Sequence, residues 1–151
     1  MTESENKLTV RPLDPKEAEL ASACERLSLG HEAWSADGIR DTMQLNGYYF
    51  GAFWGAEFVG HAGFTAVADE GYITNVAVLP QFRRNGAATE LTKALISKAK
   101  ELKLSFLTLE VRESNSAAIA LYEKHGFLRV GLRKRFYSRP TEDAIIMTLN
   151  F

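Results

Sequence analysis

The chain has 151 residues, 46% of them hydrophobic and 25% charged, ordinary globular values that exclude a disordered, collagen-like or coiled-coil protein. Lys and Arg number 18 against 19 Asp and Glu, a net charge of -1, so no global field draws the chain to nucleic acid or to an anionic membrane. The single Cys24 excludes an internal disulfide, no Cys/His set has zinc-ligand spacing, Met1 to Lys7 lacks the pattern of a signal peptide, and no apolar run approaches the ~20 residues that span a bilayer. The expectation is one metal-free cytoplasmic domain over residues 1–151.

Leu8 to Arg11 can form a first strand. Asp14-Pro15-Lys16-Glu17 then writes a helix start, with an acidic cap, Pro at the first helical position and Glu three residues after the cap, and Ala18 to Leu27 continue it. Ser35, after Trp34, caps a second short helix toward Gln44 that ends at the Asn46-Gly47 turn signal. The aromatic and β-branched runs Tyr48 to Trp54 and Phe58 to Ala68, separated by Gly55-Ala56-Glu57, read as a hairpin. Gly71 to Val78 is a further strand, stopped by Pro80. From Gly86 to Leu102, Ala87, Leu91, Ala94, Leu95 and Ala99 recur at helical spacing with lysines on the other faces. Leu104 to Val111 alternates as a strand, Asn115 to His125 is a helix closed by Gly126, and strands follow at Phe127 to Phe136 and Asp143 to Leu149. This order predicts one mixed sheet with helices on both faces, an α/β (α+β) arrangement.

The segment from Gln81 to Thr89 joins a strand to the long helix. Free N–H groups and the positive end of the helix dipole make such a junction an anion site, Gly86 admits close approach of a phosphate, and Arg83 and Arg84 add charge. Taken alone, a small-residue loop with two arginines is more often a solvated turn, and it is not a P-loop because the Gly-Lys-Ser/Thr ending is missing. Glu110 falls by alternation on the side of Leu104, Phe106 and Thr108, a carboxylate ending a largely apolar face, where desolvation would raise its pKa toward that of a general base; the plainer reading is an exposed strand end. Tyr122 shares a helical face with Ala118 and Ile119 and can give a proton to a leaving thiolate if its hydroxyl meets a cleft; otherwise it is a core tyrosine. Tyr137, in the loop-like stretch Phe136-Tyr137-Ser138, is a further hydroxyl. Cys24 reads as a small buried hydrophobe, and His125 as a cation suited to a helix end. His31 and His61 have no triad partner nearby in sequence, and the basic run Arg129, Arg133, Lys134, Arg135 and Arg139 reads as solvated, or as a contact for cofactor phosphate or RNA.

Together these pieces resemble the GCN5-related N-acetyltransferase superfamily, whose acetyl-CoA site follows Gln/Arg-x-x-Gly-x-Gly/Ala. Arg83-Arg84-Asn85-Gly86-Ala87-Ala88 fits that pattern, Asn75-Val76-Ala77-Val78 precedes it, and Asn115 to Phe127 follows in Asn-x-x-Ala-x-x-Leu-Tyr-x-x-x-Gly-Phe form. Leu109-Glu110-Val111-Arg112-x-Ser114-Asn115, Leu121-Tyr122-Glu123, Glu142 to Met147 and Trp34-Ser35 are similar to the bacterial ribosomal-protein-alanine N-acetyltransferases.

The resemblance implies a mostly antiparallel sheet of about seven strands with about four helices, in which the strands around Val76 and Glu110 splay apart. It further implies that Val76, Ala77 and Val78 pair with the pantetheine arm of acetyl-CoA. Arg83, Arg84, Asn85, Gly86, Ala87, Ala88 and Thr89 would hold the pyrophosphate, with Asn115 as a further cofactor contact. Glu110 would be the proton acceptor and Tyr122 the donor, while Trp34 and Tyr137 would border the substrate, the N-terminal peptide of a small-subunit ribosomal protein. No metal, stable nucleic acid or membrane contact is implied, and a monomer or weak dimer is expected. The loop between Tyr137 and Glu142 is shorter than the family pattern and bears on peptide preference. At this point two other readings stay open: an acetyltransferase of the same fold for a small amine or lysine side chain, and a non-catalytic acetyl-CoA-binding module.

Overall fold

A computed structural model of the chain describes residues 7–83 and 85–151; Arg84, one of the expected phosphate contacts, lies outside the described residues. The first strand, β1 (Leu8–Pro12), gives way to a 3-10 turn at Pro15–Glu17. There the Asp14 carboxylate accepts from the Lys16 N–H at 2.8 Å and Glu17 reaches back to the Asp14 N–H at 3.2 Å. This reciprocal cap is the one the sequence signals, but the helix proper, α1 (Ala18–Leu29), begins one short turn later. A second helix, α2 (Ala36–Leu45), starts where Ser35 Oγ accepts from the Gly38 N–H at 3.0 Å.

The strands β2 (Gly47–Trp54), β3 (Glu57–Val67) and β4 (Glu70–Val78) then run as an antiparallel meander. The long helix α3 (Ala87–Glu101), β5 (Phe106–Arg112) and α4 (Ser116–Lys124) follow, and the hairpin β6 (Leu128–Tyr137) and β7 (Glu142–Asn150) closes the chain. Two boundaries depart from the sequence reading. Gly86 stands outside α3 at φ 85 instead of opening it. Tyr137 closes strand β6 instead of lying in a loop, because pairing resumes at Tyr137↔Glu142 after an irregularity that follows Arg133.

All seven strands form one sheet in the order β1-β2-β3-β4-β5-β7-β6. Alternation sends Tyr48, Phe50 and Ala52 of β2 to one face and Tyr49 and Phe53 to the other. On the first face Phe64, Leu107 and Met147 of the sheet are sealed against Leu91 and Leu95 of α3 and against Phe127 just beyond α4, each large side chain contributing about 1.5–3 kcal/mol of transfer free energy. On the second face Ala18 and Ala21 of α1 and Ile39 of α2 close over Leu13, Tyr49 and Phe53.

Two irregularities shape the middle of the sheet. Register in β3–β4 passes from Phe64↔Ile73 to Gly63↔Asn75, so Thr74 is an extra residue bulged out of β4. The parallel β4–β5 ladder covers only Glu70↔Phe106 to Tyr72↔Thr108, although both strands continue for several residues beyond it. The strands therefore part at the level of Asn75 and Glu110, as the resemblance implies.

Candidate active site

Where β4 and β5 part, a cleft of about 960 Å³ opens, with Trp34, Asn75, Val76, Glu110, Tyr122 and Tyr137 in its walls. Its β4 wall keeps backbone groups that β5 does not pair, because the ladder has already ended at Tyr72. From α1, Ser28 Oγ donates to the Val78 carbonyl at 3.1 Å and the Cys24 thiol to the Ala77 carbonyl at 3.6 Å, bracing this strand from behind. Burial pushes the Cys24 thiol up to about 11, so it stays protonated and is no nucleophile at neutral pH.

Glu110 lies on β5 between Leu109 and Val111, which are turned into the core. Its own side chain points the other way and is exposed, as the plainer of the two sequence readings has it, and the apolar alternative is not there: the strand's buried set is Leu107, Leu109 and Val111. Its carboxylate instead meets a cation, Arg133 of β6, whose Nε lies 3.2 Å from Oε1. Tyr122 sits on α4 beneath the gap, 6% exposed, with its ring centroid 5.5 Å from that of Phe127 and tilted 58° to it. Burial pushes its phenol well above the ordinary value, with Tyr137 adding to the shift, so it keeps its proton at neutral pH and can donate it. Glu110 and Tyr122 thus face the same gap from opposite faces of the sheet.

Tyr137 joins the two sides. Its phenol is pushed up to about 12, first by burial and then by the charges of Glu32, Glu110 and Glu142, with Arg112 opposing. The Arg112 guanidinium lies 4.5 Å over its ring and binds Glu32, the Glu142 carboxylate at 3.1 Å and the Pro140 and Ser138 carbonyls. Glu142 also accepts from the Ser114 N–H at 2.7 Å, which together with Arg112 holds its carboxyl below the usual range. Arg112 therefore ties the α1–α2 connection to the β6–β7 turn, and the two segments wall the outer part of the cleft.

At the far end, the first N–H groups of α3 have no intrahelical partner, and the cap residue Gly86 has no side chain to offer them. Gly86 holds a left-handed φ of 85, and a Cβ placed there would have no atom of the described residues within 4 Å, so its approach side is open among them. Ala87 is 2% exposed and turned into the core, which leaves only its backbone to offer a ligand. Free N–H groups, a helix dipole and an open glycine fit a phosphate-bearing cosubstrate whose arm runs back along β4.

The family model for the acetyltransferase (GNAT) family matches residues 16–127. The chain belongs to that family. It is 31% identical over 153 aligned positions to the N-alpha-acetyltransferase RimI of Mycobacterium tuberculosis, covering 97% of this chain and 95% of that one. It is 45% identical over 87 residues to the ribosomal protein bS18-alanine N-acetyltransferase of Escherichia coli K12, a stretch that spans 55% of this chain and 57% of that one. The crystal structure of the Escherichia coli ribosomal-protein-alanine enzyme superposes with a TM-score of 0.88 at 31% identity, over 95% of this chain and 94% of that one.

On this GNAT scaffold the structure brings most of the residues singled out from the sequence to one place. Trp34, Val76, Glu110, Asn115, Tyr122 and Tyr137 all line the cleft, while Asn85 to Thr89 stand at the start of α3. Asn115 spends its side-chain oxygen on the Ala118 N–H at 3.2 Å, so it acts first as the cap of α4. Ala77 is 3% exposed and offers backbone alone. His125 donates from Nδ1 to the Leu121 carbonyl at 2.9 Å, a helix-end role. Sequence reasoning assigned no role to Glu25, Glu32, Arg112 or Glu142. Arg112 and Glu142 stand inside motifs quoted for the resemblance, whereas Glu32 and the buried Glu25 carry no local signal, since only tertiary contacts give them partners.

Proposed function

We propose that the protein is an acetyl-CoA-dependent N-α-acetyltransferase that acetylates the N-terminal alanine of a small-subunit ribosomal protein. The observation that carries this is the gap between β4 and β5, with an accessible carboxylate, Glu110, on one side and a protonated phenol, Tyr122, on the other. The names of the relatives above support the substrate.

Bound acetyl-CoA supplies an activated acyl thioester. The backbone groups of Val76 to Val78 that β5 leaves unpaired pair with its arm, and the α3 start, with Arg83 to Thr89, takes its pyrophosphate. A backbone N–H near Val76 polarises the acyl carbonyl. Trp34 and Tyr137 border the peptide's end. An α-amino group has a pKa near ~7.7–8.0, so much of it arrives protonated; Glu110 removes that proton, directly or through a water, and the neutral amine attacks. As the carbon–sulfur bond breaks, the nitrogen loses its second proton to solvent, and Tyr122 gives its proton to the departing thiolate and regains one from solvent. Cys24 takes no part. No helix among the described residues is long and apolar enough to cross a membrane, and the proposed site of action is the cytoplasm, on a free peptide end, by a monomer or weak dimer without stable nucleic-acid binding.

The test is acetyl transfer followed by mass spectrometry on an alanine-initiated ribosomal peptide, the same peptide with a blocked α-amine, and a polyamine panel. Acetylation of the free α-amine alone is the expected result. Turnover of polyamines with silence on the peptide would move the protein to small-amine chemistry, and silence throughout with tight acetyl-CoA binding would leave a non-catalytic module.

A further inference from the structure

Behind the cleft, one side-chain cluster takes no part in the proton transfers above. Glu25 of α1 is fully buried, and a carboxylate there can only accept hydrogen bonds. Its Oε1 accepts from the Trp34 backbone N–H at 2.8 Å, and its Oε2 accepts from the Asn75 side-chain amide at 3.0 Å. His61 of β3, also fully buried, brings Nε2 to 2.8 Å from the same Oε2, although neither ring nitrogen has an aligned hydrogen-bond partner. Trp34 is held at its other end too, because Ser22 Oγ donates to its carbonyl at 2.8 Å and Arg26 donates to Ser22 Oγ at 3.0 Å.

The two residues that Glu25 grips belong to opposite walls. Trp34 lines the wall formed by the α1–α2 connection, where the amine enters. Asn75 follows the bulged Thr74 and precedes Val76, on the strand that receives the thioester arm. These walls come from chain segments 50 residues apart at the Glu25–Asn75 bond, and among the described residues no backbone ladder ties the Trp34 segment to β4. One carboxylate, two oxygens, spans that separation.

We propose that Glu25 is a positioning residue for acetyl transfer: by clamping Trp34 and Asn75 on one buried carboxylate it sets the distance between the incoming amine and the thioester. This role rests on the function proposed above. The chemistry needs two acceptors. A carboxylate in place of the Asn75 amide has no N–H to give them, so Asn75→Asp sets acceptor against acceptor and charge against charge, and the clamp opens on the β4 side. The reciprocal change repairs it: with Glu25→Gln added, the glutamine amide donates to the Asp carboxylate while its oxygen still accepts from Trp34. The double variant keeps side-chain volume and total charge and inverts one hydrogen bond.

The experiment measures kcat and KM for an alanine-initiated peptide, together with the acetyl-CoA Kd, in wild type, Asn75→Asp, Asn75→Ala and the Glu25→Gln/Asn75→Asp double variant, each shown by circular dichroism to be folded at the assay temperature. Near-attack geometry is steep in distance, so kcat falls about ten-fold or more in Asn75→Asp and Asn75→Ala while the acetyl-CoA Kd stays within about two-fold, and the double variant recovers most of the loss. Asn75→Ala changes no residue of α1 and adds no charge, and it carries the test if Asn75→Asp does not fold. Unchanged kcat in both single changes, a parallel loss of acetyl-CoA affinity, or a double variant no better than Asn75→Asp would each overturn the role. A wild type silent on every peptide would overturn the proposed function and this role with it; an active wild type with insensitive variants would overturn this role alone.

Discussion

Tyr122 shows how burial assigns a chemical duty. A phenol sealed against Phe127 cannot easily become an anion, so its ionisation moves above the ordinary 10.0 and it is held in the form that donates. With the folded value raised, the protonated acid persists through the alkaline range, and kcat shows no decline from loss of this proton below about pH 10. A pH–rate profile to about pH 10 checks this; an alkaline limb below about 9 that disappears in Tyr122→Phe would assign the phenol a lower value than its burial requires. Tyr137 resists ionisation for a second reason as well, the carboxylates of Glu32, Glu110 and Glu142 around it. Glu110 was identifiable as a candidate from its motif, but its setting was not. Strand alternation alone does not say which face is covered, and the face with Glu110 is the open one, where the partner is Arg133 from two strands away in the sheet.

Elements were legible wherever a local cause makes them. The Asp14 and Ser35 caps, the Gly55 hairpin at φ 62 and the Gly126 helix stop at φ 95 all stand where turn and cap chemistry puts them. The bulge at Thr74 was not legible, because it depends on how β3 and β4 register against each other and on Tyr49, whose hydroxyl lies 3.3 Å from Thr74 Oγ1. Gly63, opposite, is needed there: a Cβ would come within 2.5 Å of the Tyr49 ring, and Gly63→Ala is expected to destabilise by about 1–3 kcal/mol in urea unfolding. Gly86 is needed for its backbone instead, since nothing crowds it. A left-handed residue with a Cβ costs about 1–2 kcal/mol, so Gly86→Ala distorts the start of α3 and raises the acetyl-CoA Kd, measurable by calorimetry, while distant packing is unaffected. An acetyl-CoA Kd equal to that of wild type would separate this turn from the cosubstrate site.

At the scale of the whole molecule, the site exists because one parallel pair in an otherwise antiparallel sheet stops after three residue pairs, from Glu70↔Phe106 to Tyr72↔Thr108. No periodicity in either strand announces where a ladder ends, which is why the splay came from the resemblance and not from the pattern of residues. The outer walls are closed by ion pairs that tie distant segments, Arg112 with Glu32 and Glu142, while Arg11 with Glu17 braces the first turn. Glu17 and Glu142 both titrate below 4.5 in the folded chain, so the folded state binds fewer protons there than the unfolded one. Their contribution is present above about pH 4.5 and is lost as pH falls through the folded values, so the urea midpoint drops on acidification below about pH 4.5 and does so less in Glu142→Gln. The most direct test of the account is peptide turnover in Glu110→Gln and Tyr122→Phe, measured beside acetyl-CoA affinity. Each change is expected to lower kcat by about 10²-fold with the acetyl-CoA Kd close to that of wild type. Full turnover in either variant would contradict the assignment of base and acid across the gap.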